Sequence, residues 1–325
     1  MSSLAFVQRS MTRYGMSSLL AFGFVGNIIN IFIFTRKEPL RNSCSLYILA
    51  ACILNLFNLG WGIIPALYNL DRTDPSTYVF IYCKVHHYII HAPLMMSRSL
   101  TVIACMDRYA LCSNSNRIRS FSDPKVAIRV IVGIILLWPI ATVFLPISYV
   151  YRQGSCRMDP SFSLSWAIYS VIVPGLLTPG LMIVFGGLAI SNRRKLQNRL
   201  NTNRANIKKR ECTLILMLFS EVMVYVSSTC LFPAITLYQF LTEGLPQTTE
   251  SLQIRAFLGY FSNTFLVYIY PAAGFYIYIT VSRVYRKECK RILLHLYMRL
   301  THHVVVVGSI TTLRENTVLN QAFRS

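Results

Sequence analysis

Apolar residues in this chain gather into seven long stretches separated by short polar segments, instead of alternating or recurring on one helical face as in a soluble domain. The stretches run from about Ser17 to Thr35, Cys44 to Tyr68, Tyr78 to Cys112, Val126 to Val150, Leu164 to Ile190, Cys212 to Phe240 and Leu252 to Val281. Each is long enough as a helix to cross a hydrocarbon layer of about 30 Å. In lipid every backbone donor and acceptor must be satisfied within its own segment, so helices are expected despite the internal prolines and glycines. The pattern predicts an all-α membrane protein, a seven-transmembrane helix bundle.

Composition agrees with that reading. Of 325 residues, 54% are hydrophobic and 14% charged, a balance that would make a soluble domain aggregate. The first stretch is long, lacks an Ala-x-Ala-like exit and leads into the basic segment Arg36-Lys37-Glu38-Pro39-Leu40-Arg41, so it reads as a retained helix. The expected organisation is an extracellular N-terminus over 1–16, the helical domain over 17–281, an amphipathic membrane-surface helix over 282–298 and a cytoplasmic tail over 299–325.

The net charge of +20 alternates from loop to loop. Arg36, Lys37 and Arg41, then Arg117, Arg119 and Lys125, then the run from Arg193 to Arg210, and finally Arg283, Arg286 and Lys287 all fall on one side. The other side mixes Arg9, Arg13, Arg72, Arg152, Arg157 and Arg255 with Asp71, Asp74, Asp159, Glu243 and Glu250, and Arg152, Arg157 and Asp159 are expected to lie in a lid over the outer end of the bundle. By the positive-inside rule the N-terminus lies outside the cell and the C-terminus inside. Anionic membrane lipid and an intracellular partner account for the basic face, so no nucleic acid is needed as partner.

The cysteines divide by location. Cys83 and Cys156 are the two on the outer side, where a disulfide persists. They are either two unrelated thiols or a bridge pinning the loop after the fourth helix over the bundle, and the bridge is the expectation. Cys289 follows the last helix in a basic amphipathic stretch, where reversible lipidation is chemically reasonable. The remaining cysteines read as helix packing.

The third stretch ends in Asp107-Arg108-Tyr109. A guanidinium at the membrane boundary is costly unless paired or hydrated, so Arg108 is expected to pair with Asp107 when the bundle is closed. Pro233 removes a backbone donor inside the sixth helix and predicts a kink. Arg98 and Glu221 are charges within the membrane, suspects for function and candidates for a mutual pair. No His-Glu-x-x-His or Gly-x-Ser-x-Gly pattern occurs, so neither an enzyme nor a metal or cofactor site is expected; His302-His303 is a weak metal pair at best.

In order and spacing these residues resemble the rhodopsin-like G-protein-coupled receptors over nearly the whole chain. Gly26-Asn27 resembles the first-helix Gly-Asn pair, and Asn55 falls where the second helix usually carries an aspartate. The span from Cys83 to Arg108 matches that from the bridging cysteine to the motif arginine. Trp138 resembles the fourth-helix tryptophan, Pro174 or Pro179 the fifth-helix proline, and Cys230-Leu231-Phe232-Pro233 the Cys-Trp-x-Pro motif. In the seventh helix either Tyr270-Pro271 or Gly274 to Tyr278 covers the Asn-Pro-x-x-Tyr motif; the second is preferred, because Tyr285-Arg286 then opens a short eighth helix.

The resemblance implies an extracellular ligand, a heterotrimeric G protein and movement of the sixth helix. Asp107, Arg108, Tyr109 and Tyr278 become the switch, Pro233 the hinge, and Asn27, Asn55, Ser97 and Trp138 the packing core. The departures matter too. Asn55 lacks the charge that holds sodium, Leu231 replaces the gating tryptophan, and Thr213 replaces the acidic partner of Arg108. Ile90 sits where amine receptors carry aspartate, and the seventh helix has no lysine for a retinal Schiff base. His86, His87, His91, Tyr238, Tyr260, Tyr268 and Asp159 are the expected ligand pocket, best suited to a peptide. The nearest sub-family resemblance is to invertebrate FMRFamide-receptor-like neuropeptide receptors, carried by the segments Pro179 to Gly186 and Gly274 to Tyr278. A transporter and a non-signalling seven-helix scaffold remain as alternatives.

Overall fold

The computed structural model describes residues 3–36, 42–113, 115–152, 154–199, 205–242, 248–292 and 294, with side chains described except at Ser3, Arg152, 193–199 and 205–213. Seven helices are long and apolar enough to cross a membrane: α1 (Leu4–Phe34), α2 (Ser43–Tyr68), α3 (Phe80–Leu111), α4 (Pro124–Ser148), α5 (Pro160–Asn192), α6 (Leu214–Leu241) and α7 (Thr249–Val281). The protein is a seven-helix, multi-pass membrane bundle. α3 packs against α2, α4 and α5, while α1, α2, α7 and α6 complete the ring around it.

Local chemistry starts these helices where the polar segments end. Asn42, Asp123, Asp159 and Thr248 each accept a hydrogen bond from a backbone N–H in the first turn of α2, α4, α5 and α7, and Pro124 and Pro160 occupy first-turn positions that need no donor. Small residues then let helices approach closely, as membrane interfaces require. A Cβ on Gly62 of α2 would meet the Tyr268 hydroxyl of α7 at 1.9 Å.

α1 begins well before Ser17. The residues 1–16 expected as a tail carry Arg9, Thr12 and Arg13, yet these find lateral partners, so the helix continues through a π-helical turn at Met11–Met16. Arg9 and Arg13 each reach Asp71 at 2.8 Å, and Thr12 Oγ1 lies 2.7 Å from the Tyr260 hydroxyl. The two ion pairs are largely exposed and so contribute little, at most about 1 kcal/mol each.

α4 ends earlier than expected. Tyr149–Arg152 (β1) and Ser155–Met158 (β2) instead form an antiparallel hairpin with Tyr151 opposite Cys156. Cys156 is bonded to Cys83 at the start of α3, their Cα atoms 5.6 Å apart. Closing a loop of this length contributes about 2–5 kcal/mol and fixes β2 over the bundle.

A second compact unit spans Arg283–Ser325. Its residues 283–292 are helical, with Tyr285, Cys289 and Ile292 buried along one face. Burial raises the Cys289 thiol above its usual range. The tail 299–325 with His302 and His303, the side chains of Arg193 to Arg210 and of Thr213, and Glu243 lie outside the described residues.

Candidate functional site: a buried polar column and an outer cavity

Polar side chains are concentrated along the bundle axis, where lipid cannot reach them. At the Arg108 end, the Arg108 Nε donates to Asp107 Oδ2 at 3.0 Å and its Nη2 reaches the same oxygen. Nη2 also donates to the Asn42 side-chain carbonyl at 3.0 Å, and Ser43 Oγ donates to Asp107 Oδ1 at 2.5 Å. Asn42 and Ser43 open α2, so the Asp107 carboxylate lies at the positive end of a helix. Ser122 Oγ, in the segment after α3, holds the Asp107 backbone carbonyl at 2.9 Å. Arg108 is 1% exposed, so nothing outside the bundle can reach it in this arrangement. Cys112, Ala189 and Ile215 pack α3, α5 and α6 together beside it, with Tyr109 on their rim.

Deeper in the bundle, Glu221 of α6 accepts a hydrogen bond from the Tyr278 hydroxyl of α7 at 2.8 Å. Thr101 Oγ1 lies 2.6 Å from the Tyr270 hydroxyl, and Ser97 Oγ donates to Asn55 Oδ1 at 2.6 Å. Asn27 Nδ2 donates to the Pro271 carbonyl at 2.9 Å, and Trp138 Nε1 to Ser99 Oγ at 2.8 Å. Asn55, Thr101, Glu221, Gly274 and Tyr278 line a space of about 10 Å³, on the scale of one water. The Arg98–Glu221 pair considered from sequence is not formed. The Arg98 guanidinium lies 5.3 Å from the ring centroid of Tyr225, one turn along α6 from Glu221, and Glu221 takes its bond from Tyr278.

The hinge region has an unexpected wiring. The helical assignment breaks at Cys230 ahead of Pro233, and α5 faces it with a π-helical turn, Val171–Leu177, that contains Pro174. The Pro174 carbonyl accepts from the Tyr225 hydroxyl of α6 at 2.9 Å, and a Cβ on Gly175 would lie 2.8 Å from the Pro233 ring. Leu231 is 42% exposed and faces outward, so it is not the inward group at this level. Phe232 is: its ring meets Trp166 of α5 edge-on at 6.4 Å. Trp166 also contacts His91 and Tyr169, and His91 Nε2 lies 2.8 Å from the Tyr169 hydroxyl.

Trp166 lines a cavity of about 580 Å³ toward the disulfide end, between β2, α5, α6 and α7. None of the seven residues expected as ligand contacts lines it. His87 stacks on Tyr149 of β1 and His86 on Tyr82, while His91 reaches the cavity only through Trp166. Tyr238 is 45% exposed; Thr236, Gln239 and Phe240 are the α6 residues on the cavity. Tyr260 is engaged with Thr12, Tyr268 is buried in the cluster of Met16, Leu59 and Ile63, and Asp159 caps α5. The cavity's charged residues among those described are Arg157, expected in the lid over the ligand pocket, and Arg255, expected only as an outer-side cation.

Among the described residues no group of three or more His, Cys, Asp or Glu side chains is placed to hold a metal ion. No curated protein matches the chain. A family model described as serpentine type 7TM GPCR chemoreceptor Srw matches residues 16–161, from α1 through the hairpin to the first residues of α5. Together with seven apolar helices and the Cys83–Cys156 bridge, that match supports a receptor of the G-protein-coupled type; the matched family itself is described as one of chemoreceptors.

Proposed function

We propose that this protein is a cell-membrane receptor that binds an extracellular chemical ligand at the disulfide end and activates a heterotrimeric G protein at the Arg108 end. The observation that carries the reading is the sealed Asp107–Arg108 pair, held by Asn42 and Ser43 in a bundle whose sixth helix is interrupted at Cys230, three residues before Pro233. Two charges buried at a helix end cost several kcal/mol to desolvate, and a static membrane anchor has no use for them.

In this reading the described arrangement is the closed state. When α6 swings out about Pro233, Ile215 leaves Cys112 and Ala189, and Arg108 exchanges Asp107 for groups on the G protein. A ligand favours the open form only by binding it better, and Trp166 offers the route: it lines the cavity and touches Phe232 beside the hinge. The topology with N-terminus outside rests on the basic loops. The rhodopsin-like and FMRFamide-receptor-like resemblance is a finer reading on the same residues. Its arginine-containing amidated peptide finds no carboxylate among the described residues lining the cavity, which favours a different ligand chemistry.

The test is nucleotide exchange on purified heterotrimeric G proteins. Receptor in lipid discs should accelerate exchange on at least one G-protein class, and Arg108→Ala should abolish that acceleration with the fold intact. Acceleration that survives Arg108→Ala, or none by any class, would contradict the proposal.

A further inference from the structure

We infer that the outer cavity takes an organic anion, a carboxylate carried on a small apolar or aromatic body, held between Arg157 and Arg255. The inference rests on the receptor reading for the cavity's role, but its chemistry comes from the wall residues. Arg157 of β2 and Arg255 of α7 both line the cavity, and among the described residues no aspartate or glutamate does. Arg157 is exposed, and its side chain makes no hydrogen bond or ion pair among the described residues. Arg255 donates from Nη2 to the Gln239 carbonyl at 2.6 Å and from Nη1 to the Thr242 carbonyl at 3.3 Å, closing the last turn of α6. Those bonds occupy two of the five N–H groups of a guanidinium and leave its charge uncompensated.

Two cations facing one space repel each other, and only a bound anion turns that repulsion into attraction. A guanidinium fork matches a carboxylate in plane and spacing, and such charge-assisted bonds are about twice as strong as neutral ones. The remaining wall selects the body of the ligand. Trp166, Phe240 and Leu252 are apolar, and a cavity of about 580 Å³ suits a small organic molecule. The disulfide fixes the β2 backbone that carries Arg157, and the bonds to α6 fix the Arg255 guanidinium, so the cavity presents both cations before a ligand arrives. Because Arg255 also closes α6 and Trp166 also touches Phe232, an anion drawn between them acts on the two ends of the same outer helix segment.

The experiment uses the full-length protein in lipid discs and follows its thermal stability and tryptophan fluorescence while indole-3-acetate is titrated. Indole-3-acetamide, tryptamine and phenyl phosphate are the comparison probes. The carboxylate should bind in the millimolar range or tighter, with the neutral amide and the amine at least about tenfold weaker. Arg157→Gln should weaken carboxylate binding about tenfold, with Arg157→Lys losing less, while Arg72→Gln on the same outer side leaves it unchanged. Arg157 has no structural bond to lose, so a folding defect does not obscure the result; Arg255→Lys serves as the second variant. The inference is overturned if the amide, the amine or the phosphate binds as well as the carboxylate, if no carboxylate binding is seen at millimolar concentration, or if Arg157→Gln leaves it unchanged. A protein that accelerates nucleotide exchange but ignores carboxylates sinks the ligand class alone, and one that binds them but never drives exchange sinks the receptor reading alone.

Discussion

Asp107→Asn should raise ligand-independent nucleotide exchange and lower thermal stability together. In the closed bundle the Asp107 carboxylate accepts from Arg108 Nε and Nη2 and from the Ser43 hydroxyl, and removing its charge takes this ion pair away from a guanidinium buried at 1% exposure. Breaking a buried pair by removing one partner costs about 3–5 kcal/mol, because the surviving charge stays desolvated. In the open state Arg108 faces the G protein or water, so little of that cost falls there. The difference shifts the population toward the open form, about tenfold for each 1.4 kcal/mol that falls on the closed state alone. Guanine-nucleotide binding rates on a purified G protein, with melting temperature alongside, check both halves. Unchanged basal exchange in a properly folded variant would separate the pair from the switch.

Tyr278→Phe should have the next largest effect. It removes the donor of the one hydrogen bond described for the Glu221 carboxyl, 5% exposed in the middle of the bundle, while leaving the ring edge-on to Phe34 at 6.2 Å. A buried acceptor stripped of its donor costs about 1–3 kcal/mol, more when it is charged. Glu221→Leu alone should also destabilise, since it removes the acceptor of the Tyr278 hydroxyl's 2.8 Å bond. The double variant Glu221→Leu with Tyr278→Phe should recover much of the loss, because an apolar pair of similar shape needs no partner. The bond links α6 to α7, so each single variant should also raise basal exchange. Additive losses in the double variant, measured by thermal unfolding, would show that the two groups do not interact.

The helices were legible because stretches of about twenty mostly apolar residues have few other fates, and the Asp107–Arg108 pair because its members are adjacent. Other features depended on partners far away in the chain. The start of α1 was hidden by Arg9 and Arg13, which look like tail residues until Asp71 of the next loop is placed beside them. Strands of four residues leave too short an alternation to read, so the hairpin that carries Cys156 and Arg157 was missed. The expected ligand contacts were chosen by residue type at the outer ends of helices, without the phase of α6. Phe232, Thr236, Gln239 and Phe240 lie on one helical face, and that spacing alone would have excluded Tyr238 and Leu231. Glu221 was conspicuous as a charge in lipid, but nothing in its own stretch names Tyr278 as its donor.

The central claim is that Arg108 is released when α6 moves away from α3. The most direct measurement is the distance between probes at Ser113, after α3, and Leu216, an exposed position near the start of α6, read by pulsed electron resonance in lipid discs with and without nucleotide-free G protein. The account predicts one short distance for the receptor alone, a longer one with the G protein bound, and a partial shift to the longer one in Asp107→Asn without any partner. A distance that stays the same in all three would contradict it.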